Sequence, residues 1–115
     1  MDPGRARQLL ARERKRVEEA LARLRIEPDE GLSHVDQHLA DEATDTFDEE
    51  RDAGLAVDLR HELAAIERAE RRLEQGSYGI SVESGEPIPD ERLEAVPWAE
   101  RTAHEQERLE GGSLR

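Results

Sequence analysis

Leu10, Val17 and Leu24 recur at seven-residue intervals near the start of the chain, and Ala6, Ala20 and Leu21 fill the same stripe. Most positions between them are charged. A narrow apolar seam on a charged helix suits a partner helix better than a broad core. The pattern predicts a first helix from Pro3 to Arg25, with Asp2 as its cap. Pro28 ends it, because a residue ahead of proline resists helical geometry. A second stripe of Leu55, Leu59, Leu63, Ile66, Ala69 and Leu73 steps by three and four, and Phe47 extends it backwards. It predicts a longer helix from about Asp41 to Gln75, with Gly76 as the stop. Gly54 costs that helix about 1 kcal/mol against alanine and reads as a bend or a close helix approach. Residues 26–40 read as the connection, punctuated by Gly31 and Ser33, with Ser33 and Asp36 spaced for an N-terminal cap. Two facing seams joined in this way make an antiparallel helical hairpin, with the connection at its far tip.

After residue 75 the periodicity gives way to turns. Tyr78-Gly79 leads into one, Ser84-Gly85 closes it, and Pro87-Ile88-Pro89 leaves it. A short helical run, Arg92-Leu93-Glu94-Ala95, ends before Pro97, and a further helix is predicted near Trp98–Glu110, ended by Gly111-Gly112. The organisation is therefore all-α: a coiled-coil hairpin over 1–75 with an acidic tip around 34–46, a small cap and C-terminal helix over 76–110, and a tail over 111–115.

Composition sharpens this picture. In 115 residues, 40% are charged and 3% aromatic. Such a chain suits long exposed helices or disorder, and the periodicity decides for helices. The length fits one domain. There is no cysteine, so neither disulfides nor thiol chemistry arise. No apolar run approaches the roughly 20 residues of a membrane span, and no signal peptide is visible, which makes a cytoplasmic protein the default expectation. Net charge is −12, which argues against a general nucleic-acid binder, since phosphate contacts dominate that affinity. The charge is uneven. Residues 1–25 carry eight basic and four acidic side chains, and residues 26–50 carry ten acidic and no basic ones. The basic face of the first helix (Arg5, Arg7, Arg12, Arg14, Lys15, Arg16) is expected to pair with carboxylates of the second.

Candidate chemistry is sparse. No phosphate-binding glycine loop, activated nucleophile or zincin helix is present, so an enzyme is not expected. His34 and His38 would share a helical face, and with Asp36 or Asp41 they form a weak metal candidate; surface histidines are the plainer reading. His61 and His104 stand alone.

Residues 76–106 resemble the four-cysteine zinc finger of the DksA/TraR family, whose pattern reads roughly YGxCxxCGxPIxxxRLxAxPxAxxCxxCQ. Tyr78, Gly79, Gly85, Pro87, Ile88, Arg92, Leu93, Ala95, Pro97, Ala99 and Gln106 fall in place. The four ligand positions hold Ser81, Ser84, Thr102 and Glu105, a poor set for tetrahedral zinc. A metal-free finger is expected, with no cofactor, held by apolar packing of Tyr78, Ile80, Val82, Ile88, Leu93, Val96 and Trp98. Burial of a large aliphatic side chain contributes roughly 1.5–3 kcal/mol.

The tip carries a second resemblance. DQHLADEATDTFDEERDAGL is similar to the DNHPADLATETFEREKDLGL-type stretch of the Gram-positive members, and Asp41-Glu42-Ala43 matches the acidic-x-Ala element at the coiled-coil tip. His38 stands where the family often has a further acidic residue. The resemblance implies a transcription regulator that binds RNA polymerase and passes its tip down the secondary channel toward the catalytic magnesium, often together with the alarmone ppGpp of the stringent response. It points to Asp41 for the tip contact, Ala43 for close approach and Asp45 as a lesser contact. It implies neither direct DNA binding nor a membrane. Read alone, an acidic loop is a solvated surface. The rival reading is a non-enzymatic structural or adaptor protein that self-associates or binds another partner, with a second copy of the chain as candidate.

Overall fold

The computed structural model describes residues 1–24 and 43–112. The helices are α1 (Pro3–Arg23), α2 (Ala43–Gln75), α3 (Asp90–Ala95) and α4 (Ala103–Gly112). Among the described residues no strand forms beyond one isolated antiparallel bridge between Ile80 and Pro87. The all-α expectation holds, and α1 and α2 pack against each other as the hairpin's two arms.

Asp2 starts α1 as expected: its Oδ2 accepts from the Arg5 backbone N–H at 2.9 Å, and Pro3 occupies the first turn, where its missing N–H costs nothing. The helix ends at Arg23, two residues earlier than the pattern suggested, as Leu24 turns extended. At 1.5 Å per residue, the 33 residues of α2 span about 50 Å. Gly76, at φ 80, terminates α2. Gly54 lies within α2 with nothing inside 4 Å of where a Cβ would stand, so among the described residues no helix approaches it closely.

Leu10, Val17, Ile66 and Ala69 are buried between the arms, with Leu21, Leu59, Leu63 and Leu73 packed around them. Ala6 and Leu9 are also buried. The seam departs from expectation at its outer end. There Ala56 is buried, whereas Leu55 is 44% and Val57 49% exposed. Counted back from Ile66 by alternate threes and fours, the stripe runs through Leu63, Leu59, Ala56 and Asp52, all buried or half-buried, whereas Leu55 lies two successive steps of four before Leu63 and falls off it. Phe47 and Leu24 were expected to extend the stripes; the Phe47 side chain lies outside the described residues, and Leu24 is half-buried.

Ion pairs flank the seam, as the charge pattern anticipated. Arg14 donates from Nη2 to Glu70 at 2.6 Å and lies 3.5 Å from Glu67, while Arg16 donates to Glu62. Arg7, Arg12 and Lys15 make no such pair among the described residues. These pairs are partly exposed, so they set the register of the arms more than they stabilise them.

The finger sits at the end of the hairpin where α1 begins. Ile88, Leu93 and Ala99 form its small core, with Met1, Tyr78 and Val96 packed on it. Tyr78 also packs on the hairpin seam, as does Trp98, so this one aromatic ring joins the two cores. Its hydroxyl donates to the Pro97 carbonyl at 2.8 Å, and burial raises its pKa to about 12. Carboxylates dock the finger, Asp90 on the Met1 amino group at 3.0 Å among them. Glu100 accepts two hydrogen bonds from Arg68, at 2.8 and 3.0 Å, and one from Arg72 at 3.2 Å. Glu94 takes a forked pair from Arg5, at 3.0 and 2.8 Å. The Glu94 and Glu100 carboxyls titrate below the usual range, chiefly because of those arginine hydrogen bonds.

Candidate functional site: a finger closed by hydrogen bonds

The finger opens with a reversal that only glycine tolerates well. Gly79 has φ 82 and Gly85 φ 77. Between them the Ile88 N–H donates to the Gly79 carbonyl at 2.8 Å and the Ser81 N–H to Glu86 at 2.8 Å. This knuckle turns the Ser81 side chain inward, where it is 3% exposed, and leaves Ile80 and Val82 outward at 41% and 51%. Inside the knuckle, the backbone N–H groups of Glu83 and Ser84 donate to the Ser81 Oγ at 3.1 and 3.2 Å. The serine hydroxyl accepts these two donors as a turn-closing side chain.

The second half is the start of α4. Thr102 caps the helix: its Oγ1 accepts from the Glu105 N–H at 3.2 Å, and Glu105 Oε1 accepts from the Thr102 N–H at 2.9 Å. This reciprocal arrangement is a capping box, in which a threonine and the glutamate three residues on satisfy each other's N–H groups. The carboxylate also benefits from its place in the first helical turn.

One bond joins the halves. Ser81 Oγ donates to Glu105 Oε1 at 2.6 Å, the length of a charge-assisted hydrogen bond. Glu105 is 5% exposed. Its carboxyl is held down to about 2, first by the Ser81 hydroxyl, then by the Ser84 hydroxyl and the Thr102 N–H, against a smaller opposing effect of burial. Ser81, Ser84, Thr102 and Glu105 are thus brought together, with a carboxylate at the focus.

These four side chains do not fit a zinc ion. Three are neutral hydroxyls, poor ligands beside thiolate or imidazole. Their lone pairs and protons are already committed to one another and to the backbone. Among the described residues no three His, Asp or Glu side chains could hold a metal ion together.

The apolar closure expected for the finger is corrected in part. Ile88 and Leu93 are buried, but Ile80 and Val82 face solvent. The finger alternates along its first strand-like stretch, and Ser81, between them, takes the inward place. The signal that would have revealed the closure was legible: Thr102-Ala103-His104-Glu105 is a capping-box sequence. It also explains why the last helix starts at Ala103 and not at Trp98.

Of the tip residues, Asp41 and the pair His34 and His38 lie outside the described residues. Ala43 opens α2 and Asp45 lies in its first turn, at the end of the rod remote from the finger. His61 and His104 are exposed.

The described residues thus form a two-helix arm with a knuckle-and-helix finger at its base. Known proteins resemble it. The model for the prokaryotic dksA/traR C4-type zinc finger matches residues 76–111. The uncharacterized protein YteA of Bacillus subtilis is 44% identical over 68 residues, 59% of this chain and 28% of that protein. The RNA polymerase-binding transcription factor DksA of Caulobacter vibrioides is 41% identical over 78 residues, 68% of this chain and 54% of that protein. The solved structure of transcription factor DksA2 from Pseudomonas aeruginosa superposes with a TM-score of 0.68 at 26% identity, covering 98% of this chain and 86% of that one. The chain belongs to the DksA/TraR family, as a variant without any of the four cysteines. It spans about half or less of the curated relatives it matches.

Proposed function

We propose that this protein binds RNA polymerase and regulates transcription, passing the acidic end of the hairpin through the secondary channel toward the catalytic centre. The observation that carries this reading is the likeness of the whole arm and finger to DksA2, over 98% of the chain. The charge distribution supports it. Ten carboxylates and no basic residue in positions 26–50 would be drawn to a basic channel, and the stiff arm reduces the conformational cost of entry. In this reading Asp41 makes the deepest contact, Ala43 leaves room for it and Asp45 adds charge. The alarmone ppGpp would act at the polymerase interface, as a ligand of the complex. The protein acts as a binding factor in the cytoplasm, with no catalytic step and no direct hold on DNA. No described helix is long and apolar enough to cross a membrane.

The test is a pull-down with core RNA polymerase, paired with run-off transcription. Binding by the wild type is expected, and Asp41→Asn should remove the transcriptional effect while leaving binding in place. Absence of wild-type binding would end the proposal. A second reading, self-association, rests on Leu55 and Val57, exposed on α2. A light-scattering mass equal to one chain would remove it.

A further inference from the structure

We propose that the ionised carboxylate of Glu105 stands in for the metal ion of the finger, so that closure depends on one buried anion and needs neither metal nor thiol. A four-thiolate site gathers negative ligands around a positive centre. Here the polarity is reversed. A negative oxygen lies at the focus, and donors converge on it from both halves: the Ser81 hydroxyl at 2.6 Å from the knuckle, and the Thr102 N–H at 2.9 Å from the helix start. Ser81 Oγ in turn receives the Glu83 and Ser84 N–H groups. The helix N-terminus adds partial positive charge beneath the carboxylate. The network therefore runs without a break from the knuckle backbone, through Ser81 and Glu105, to the backbone of α4. Each buried polar atom in it has a partner, as a buried charge requires.

The arrangement selects for a carboxylate. An amide at 105 could still turn its oxygen to Ser81 and Thr102, but without the charge that strengthens those bonds and that the helix N-terminus favours. A shorter acid would not reach across from the third residue of the helix to Ser81.

The closure is distinguishable from a weak metal site by experiment on the full chain. Hydrogen exchange is read at the amides of Glu83, Ser84 and Thr102, with circular dichroism reporting the hairpin. Treatment with EDTA is expected to change neither melting nor exchange, and metal analysis should find no stoichiometric zinc. Glu105→Gln should speed exchange at those amides about tenfold or more, the scale of a lost hydrogen bond to a charged group, with hairpin helicity retained. Ser81→Ala, a smaller perturbation, should act at the same amides about fivefold or more and keeps the test open if Glu105→Gln does not fold. Slow exchange in both variants, loss of protection on chelation, or one zinc per chain would each overturn the proposal.

Discussion

The hairpin and the finger solve the same problem by different means. The hairpin distributes its cohesion along a seam, from Leu10 to Val17 on one arm and Ile66 to Ala69 on the other, with partly exposed ion pairs to either side. The finger has three buried apolar residues in its core cluster and two exposed ones, Ile80 and Val82, where more burial was expected. It concentrates closure at one carboxylate. The difference follows from length. A helix pair of several turns accumulates apolar area, whereas a segment of about thirty residues that turns at Gly79 and Gly85 cannot, and small folds need a staple.

The largest effect should come from restoring the lost ligands. The fourfold variant Ser81→Cys, Ser84→Cys, Thr102→Cys and Glu105→Cys is expected to bind one zinc ion per chain and to melt in a chelator-dependent way, because structural zinc contributes folding free energy directly. Cobalt(II) absorption in the thiolate region is the measurement. Absence of a tetrahedral spectrum would show that the four positions do not converge, and the contrast between seam and staple would lose its basis.

Next in size is Ile66→Ala, which empties the middle of the seam. A loss of about 2–5 kcal/mol is expected in urea unfolding followed by helicity. The variant sharpens the comparison: it should lower the unfolding midpoint of the arms, while Glu105→Gln acts first on the finger. If both substitutions shift one shared transition equally, the two regions are a single cooperative unit.

Acid should separate the regions further. The Glu105 carboxyl lies near 2 in the folded chain against an ordinary 4.5. Its contribution is therefore complete above about 4.5 and fades as pH falls toward 2. Amide exchange at Glu83 and Ser84 is expected to rise through that window before the arms lose helicity. Glu94 and Glu100, also shifted down, loosen the docking in the same direction.

The smallest effect is a gain. Gly54 is exposed within α2 and has open space around its Cβ position. Gly54→Ala is expected to stabilise the arm by about 1 kcal/mol in the same urea assay. A destabilised variant would mean that α2 is bent or contacted there in solution.

Most of the arm was legible in the sequence. The apolar stripes gave the two helices and their pairing, and of the basic face Arg14 and Arg16 met carboxylates of α2 while Arg5 met Glu94 of the finger. The misplaced residues have physical causes. Leu55 fits a run of fours, but the seam keeps alternate threes and fours, which puts the small Ala56 inside instead. In the finger, glycines and prolines placed the turns correctly, and the positions of Ser81, Ser84, Thr102 and Glu105 were known from the family pattern. The family pattern marks these positions as ligands and is silent on what other residues do there, and apolar packing alone does not supply the closure. Hydroxyl and carboxylate groups at those spacings have their own local chemistry, a turn at Ser81 and a cap at Thr102, and it needed only a hydrogen bond to unite them.

Glu100 meets Arg68 and Arg72, which are one helical turn apart on α2. Two grips spaced along a shaft resist its swivelling as one cannot. The shaft is about 50 Å long, so each degree of tilt at its base moves the Ala43 end by about 0.9 Å. Aim at the far end is thus set by the stiffness of a joint that never comes near it.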